Sequence, residues 1–247
     1  VRTPCGGRAT VAGGTPLPGA TVVLDPGHGG DENGAVGANG LKEKDLNLAV
    51  VSDLRHLLEA RGATVVLTRT ADYRITLATR AELVRGLAPL AFVSVHHNAD
   101  ADGPSDRPGT ETYHQISSPT SKRLAGLLHE ELLAAFAPFD GVSWQADADA
   151  GAKYRRNRRG EDFYGILRDT PGVPAVLAEA LFLSNPAEAE LLGRPQVQHT
   201  EARALDRAVT RFLTTAEPGS GFVEPYPRSG PAGPGGGSQG CVDPLLA

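Results

Sequence analysis

Methionine is absent from this 247-residue chain, tryptophan occurs once, and aromatic residues make up only 5%. With so few rings, the core has to be built from Ala, Leu and Val. No apolar run approaches the length of a bilayer span, so no transmembrane segment is expected. Basic residues are also in deficit, with 24 Lys and Arg against 29 Asp and Glu. A net charge of -5 argues against general nucleic-acid binding, which needs an extended basic surface to displace counterions. A chain without methionine that begins at Val1 implies a segment removed from its front, either a signal peptide or a trimmed end. Cysteine is scarce too. Cys5 and Cys241 lie in the Gly/Pro-rich flanks, where they either pair or remain free thiols. Pairing suits an exported protein and, in the chain-entropy model, is worth about 4 to 5 kcal/mol for so long a loop.

What is present reads as one α/β domain with a sizeable core. Residues 1–20 carry no hydrophobic period and form an irregular arm. Thr21 to Leu24 run without a polar interruption into Asp25-Pro26-Gly27, a buried strand ending in a turn. Leu46, Ala49, Val50, Leu54, Leu57 and Leu58 recur at helical spacing up to Gly62, a natural helix terminator. Ala63–Thr68 is a second strand, Leu77–Leu87 a helix and Leu90–Val95 a third strand, so the winding is that of parallel βαβ units. Gly109–His114 alternates like a strand and Ser118–Phe136 is helical. Phe139–Arg159 dissolves into a mobile loop, Phe163–Leu167 reads as a strand, and Pro174–Leu183 is a long apolar strand. Asn185-Pro186-Ala187-Glu188 supplies an N-cap, a first-turn proline and a third-position glutamate, and a last helix covers about 196–215. The tail, 216–247, is rich in Pro, Gly and Ser and reads as a linker or a wrap-around segment.

Four residues stand out. His28 lies just beyond the first strand's carboxyl end, where open α/β sheets place their ligand crevices. Period-two alternation puts Ser94, His96 and Asn98 on one face of the third strand and Val93, Val95 and His97 on the other. Glu43 opens the first helix, a position that a carboxylate also favours for the helix dipole alone. Glu179 interrupts an apolar strand, and a buried carboxylate is costly unless a charge or hydrogen-bond network holds it. Two imidazoles and a carboxylate make a three-ligand zinc site with one position left for water, and a further glutamate can take that water's proton.

The motifs carrying these residues resemble the zinc-dependent N-acetylmuramoyl-L-alanine amidases of bacterial cell walls. They are Val22-Val23-Leu24-Asp25-Pro26-Gly27-His28-Gly29-Gly30, Gly40-Leu41-Lys42-Glu43-Lys44-Asp45, Leu67-Thr68-Arg69 with Asp72, and Arg80. Ser94-Val95-His96-His97-Asn98, Gly109-Thr110-Glu111-Thr112-Tyr113 and Ala175 through Asn185 follow in the family's order. The resemblance covers 21 to about 215. It implies a single catalytic domain over 21–215, with a twisted, mostly parallel sheet flanked by helices in the phosphorylase/hydrolase-like manner. It also implies one zinc ion held by His28, Glu43 and His96, with Glu179 as the catalytic glutamate. The reaction implied is hydrolysis of the amide between N-acetylmuramic acid and the L-alanine of the stem peptide.

The family pattern usually has a small residue after the metal-binding histidine, where this chain has His97. Strand alternation favours His96 as the ligand. Asp25, Arg69, Asp72 and Asn98 read as residues that orient loops and ligands. Glu111 lines the cleft or its edge. The basic run Lys153, Arg155, Arg156, Arg158 and Arg159 either binds the stem peptide's carboxylates or is a solvated loop. The implied partners are peptidoglycan or muramyl peptides, met as a secreted or periplasmic monomer at the wall. Three competing readings are a catalytically silent relative that binds wall precursors, a stem peptidase, and a phosphate cradle. The last is disfavoured because Gly27-His28-Gly29-Gly30 has neither the P-loop lysine nor the dinucleotide spacing.

Overall fold

The computed structural model describes residues 2–9, 21–100, 109–139, 150–224 and 237–243. Twelve elements follow one another among them: β1 (Val22–Pro26), α1 (Glu43–Ala60), β2 (Val65–Leu67), α2 (Leu77–Leu87), β3 (Ala91–Asn98), β4 (Glu111–His114), α3 (Pro119–Phe136), β5 (Gly151–Lys153), α4 (Gly165–Arg168), β6 (Ala175–Phe182), α5 (Pro186–Leu192) and α6 (Pro195–Thr214). The strands form one sheet in the order β2-β1-β3-β6-β4-β5. All neighbours are parallel except β4 and β6. The expected mostly parallel sheet with flanking helices is the fold found.

Alternation along the strands sorts the side chains into two layers. Val22, Leu24, Val93, Val95, Val176 and Ala178 face α1, α3 and α6 in an aliphatic core. Val23, Phe92, Ala175, Leu177 and Tyr113 face the other way, against Val84 of α2 and Ile166 and Leu167 of α4. His96, Glu179 and Glu111 share the parity of this second layer, so it is the one that carries the polar residues. Helix starts follow the side-chain signals. Thr76, Ser118 and Asn185 each accept a backbone N–H in the first turn of α2, α3 and α5.

Two expectations are corrected. Within 139–159, the described residues 151–153 form β5, paired parallel to β4, instead of a mobile loop; 140–149 lie outside the described residues. Phe163–Leu167 is no strand but leads into the single helical turn α4. A five-residue apolar run does not distinguish the two by period. A turn lets Ile166 and Leu167 both enter the core while Tyr164 packs on Tyr113 at 4.7 Å between ring centroids.

The described parts of the flanks, 2–9 and 237–243, are tied down. Cys5 and Cys241 form a disulfide, with their Cα atoms 5.6 Å apart. Arg74 donates to the Gly237 and Gln239 carbonyls, and the Thr76 N–H to the Pro4 carbonyl, so these described residues of both flanks rest on the segment entering α2. The stretch after α6 runs back over α3 and β5, where the Ala152 N–H donates to the Gly221 carbonyl and Lys122 lies over the Phe222 ring.

Candidate metal centre

The carboxyl ends of β1 and β3 and the start of α1 converge at one point, as the parallel winding requires. There the structure brings His28, Glu43 and His96 together, with one donor atom from each within 4.8 Å of the others. Glu43 stands between the rings, Oε2 3.1 Å from His28 Nε2 and Oε1 2.9 Å from His96 Nδ1. Its carboxylate is aimed by the Ala35 N–H at 2.8 Å and the His97 N–H at 3.2 Å. Helix-dipole stabilisation alone does not require a buried carboxylate with two imidazoles against it.

The charges of the cluster suit a cation. Burial raises the cost of ionising Glu43, yet His28 and His96 outweigh it and hold the carboxyl well below its usual range. Burial pushes the His96 imidazole down, so that it stays a neutral donor. Burial also acts to lower His28, but the Glu43 charge and hydrogen bond prevail and raise it, so a bound metal competes with a proton there. Two imidazoles and one carboxylate are the donor set of a catalytic zinc site that leaves one position open.

The backbone is shaped to admit these groups. His28 adopts a left-handed φ of 61°, which costs roughly 1 to 3 kcal/mol and persists only where the surroundings impose it. Arg80 donates to the carbonyls of Pro26 and His28, and Arg69 to those of Pro26, Gly27 and Lys44, so two guanidinium groups hold the turn. Arg80 is in turn paired with Asp25, which also accepts from Thr68 and Ser94. Asp72 accepts from the Gly30 N–H and from Lys44. A Cβ at Gly27 would lie 2.2 Å from the His96 ring. At Gly34, with φ +67°, it would lie 2.3 Å from Glu43 Oε2 and 2.6 Å from the His28 ring.

Gly34→Ala is therefore expected to weaken metal binding about 10- to 100-fold, the range typical of disturbed ligand support. Gly40→Ala supplies the control. Its φ is +80° but nothing lies within 4 Å of the added carbon, so it strains the turn without touching the site. Chelator competition on the two variants checks this, and equal affinities would defeat the prediction.

Glu179 sits beside the cluster: on β6 it is the register partner of His96 on one side and of Glu111 of β4 on the other. Residues directly paired across a sheet share a face, so the three side chains form a row. Glu179 retains 8% exposure, while Glu111 is fully enclosed. Glu111 accepts from Lys153 Nζ at 2.6 Å, from the Tyr113 hydroxyl at 2.9 Å and from the Asn98 amide. Tyr164 is held as a neutral phenol, pushed well up by burial and by the charges of Glu179 and Glu111.

Lys153 of the basic run is thus a buried partner of Glu111, while Arg155 stacks on Phe163 and Arg156 on Tyr154. Glu111 belongs to the wall of the site. Sequence reading also passed over Asn47, although its spacing of four from Glu43 on one helix was a signal that the two side chains meet. His97 points away from the cluster into the aliphatic layer, where it meets Asn47 and Glu201.

Comparison with known proteins gives the family to which the chain belongs. A family model described as N-acetylmuramoyl-L-alanine amidase matches residues 22–211. An uncharacterized protein of Bacillus subtilis strain 168, YqiI, is 34% identical over 199 residues, covering 80% of this chain and 86% of that protein. The germination-specific N-acetylmuramoyl-L-alanine amidase of the same organism is 30% identical over 220 residues, covering 81% and 82%. Among solved structures, the N-acetylmuramoyl-L-alanine amidase AmiC2 of Nostoc punctiforme superposes with a TM-score of 0.65 at 30% identity, over 78% of this chain and 96% of that one. By a match spanning most of its length, this chain belongs to the N-acetylmuramoyl-L-alanine amidase family.

Proposed function

We propose that this protein is a zinc-dependent N-acetylmuramoyl-L-alanine amidase. It hydrolyses the amide between the lactyl group of N-acetylmuramic acid and the L-alanine of the stem peptide in bacterial peptidoglycan. The observation that carries the reading is the convergence of His28, Glu43 and His96 on one point, with Glu179 in the adjoining strand position. His28, Glu43 and His96 would hold the ion. Bound there, zinc supplies Lewis-acid polarisation of the scissile carbonyl and makes water acidic enough to deprotonate near neutral pH.

The chain's own residues supply the proton traffic. A Glu179 carboxylate oxygen accepts the proton of the attacking water and returns it to the departing amine of L-alanine, as general acid–base logic requires. The neutral Tyr164 phenol near Glu179 adds no charge. The enclosed Glu111–Lys153 pair walls off the far side. Among the described residues no helix is long and apolar enough to cross a membrane. Action outside the cytoplasm, at the wall, is the setting this substrate demands, and the Cys5–Cys241 disulfide suits an oxidising compartment.

The test is digestion of a defined muramyl peptide by the purified protein, stripped of metal and restored with zinc in parallel, with products read by mass. The expected result is a peptide with a free L-alanine amino terminus, released only when zinc is present. Cleavage within the stem would make the protein a peptidase instead, and zinc bound without cleavage would make it a silent relative.

A further inference from the structure

Behind the candidate metal centre, on the opposite face of the sheet, lies a buried polar group that the proposed reaction does not use. Glu201 of α6 and His97 of β3 are both fully enclosed, with Glu201 Oε2 2.9 Å from His97 Nε2. The other nitrogen, His97 Nδ1, is 2.8 Å from Asn47 Oδ1 of α1. Asn47 Nδ2 then donates to the Gly27 carbonyl at 3.2 Å and to Glu43 Oε1 at 3.4 Å. Both of those partners are acceptors only, which fixes the amide with Oδ1 toward His97 and makes His97 Nδ1 the donor. Nε2 is left facing Glu201.

Three observations separate this chain of contacts from ordinary core packing. A buried carboxylate carries a desolvation cost that apolar packing would avoid. Glu201 spends its contact on His97 alone, for its other oxygen, Oε1, is buried without a hydrogen-bond partner among the described residues. And the chain ends on Glu43 and on the carbonyl next to His28, two points of the metal site reached from three different elements.

We infer that His97 and Glu201 are positioning residues for the metal centre: Glu201 orients the His97 ring, His97 orients Asn47, and Asn47 sets the Glu43 carboxylate and the turn carrying His28. The inference rests on the reading of His28, Glu43 and His96 as a zinc site. Groups that orient a ligand in this way change metal affinity about 10- to 100-fold when removed.

Zinc affinity of the purified full chain, measured by chelator competition without substrate, tests it. Glu201→Leu is expected to weaken zinc about 10-fold and Asn47→Leu by about 10- to 100-fold. The double variant should be no weaker than Asn47→Leu alone, because the first change acts through the second residue. Glu201→Gln should keep affinity within about threefold of wild type, since its amide can donate to His97 Nε2 and so hold the ring in place. A purely structural role would lower the thermal stability of the apo protein, leave the affinity of the folded protein unchanged, and show no such rescue.

If Glu201→Leu does not fold, His97→Leu/Glu201→Leu removes both buried polar groups together, a replacement that buried pairs often tolerate. It is expected to show the same loss of about 10-fold. Affinity within about twofold of wild type in any folded variant lacking Glu201's hydrogen bond, or additive losses in the double variant, would overturn the inference. A wild type that binds no zinc would overturn the metal centre and the inference with it, and so distinguishes the two failures.

Discussion

Glu179→Gln is expected to lower kcat by roughly 10²- to 10⁴-fold, the range contributed by a positioned acid–base group, while the protein still binds zinc. The substitution keeps the side chain's volume and its place opposite His96 and Glu111, and removes only the ability to take up a proton. KM is expected to change little, because the proposed role of Glu179 is to carry a proton and not to hold the substrate. Steady-state rates on a muramyl peptide, with zinc content measured on the same samples, check both halves. A variant with intact zinc and more than about a tenth of the wild-type kcat would remove Glu179 from the reaction.

The largest loss of stability is expected from Arg80→Leu. Arg80 is 3% exposed and holds Asp25, itself 1% exposed, together with the carbonyls of Pro26, Ile75 and His28. Taking away one member of a buried ion pair leaves the other uncompensated, at a cost of about 3 to 5 kcal/mol. For a chain of this size that lowers Tm by on the order of 10 °C.

The dependence on pH identifies the cause. Burial works to raise the Asp25 carboxyl, but Arg80, Thr68 and Ser94 together bring it below the usual range. Its contribution to stability is therefore present above the unfolded carboxylate value of about 3.9 and lost as pH falls through the folded value. Without Arg80 burial prevails, the folded carboxyl moves above the unfolded one, and protonation favours the folded state. The stability gap between wild type and Arg80→Leu should accordingly narrow from pH 7 to pH 4. Denaturant unfolding of the metal-free proteins measures it, and a gap that is constant with pH would mean that lost packing, not the orphaned charge, is responsible.

Much of the candidate site was legible because its residues stand at recognisable places in local patterns. His28 follows a run of apolar residues broken at Asp25-Pro26-Gly27, and Glu179 is a lone carboxylate in an apolar strand. The distinction between His96 and His97 was legible as well, since adjacent residues on a strand face opposite sides. What each of them would meet was not. That His97 is enclosed between α1 and α6 depends on which helices cover that face, and no stretch near residue 97 encodes it.

The basic run shows the same limit from the other direction. Five cations in 153–159 read equally as a carboxylate-binding run or a solvated loop until β5 pairs with β4, whereupon Lys153 lies beside Glu111 and is withdrawn from water. Phe163–Leu167 misled for a related reason: a short apolar run satisfies a strand or a helical turn equally, and packing on Tyr113 chose the turn.

The sequence by itself determined most of the elements, β5 and α4 excepted, and the strand ends at which chemistry is placed, because hydrophobic period and capping residues act over a few neighbouring positions. Only the tertiary structure decided which groups meet: Glu43 between two imidazoles, Glu179 in one row with His96 and Glu111, Glu201 behind His97, and Cys5 bonded to Cys241. These pairings join segments tens to hundreds of residues apart. They follow from the order and register of the strands, which the burial of two whole layers selects and no local pattern specifies.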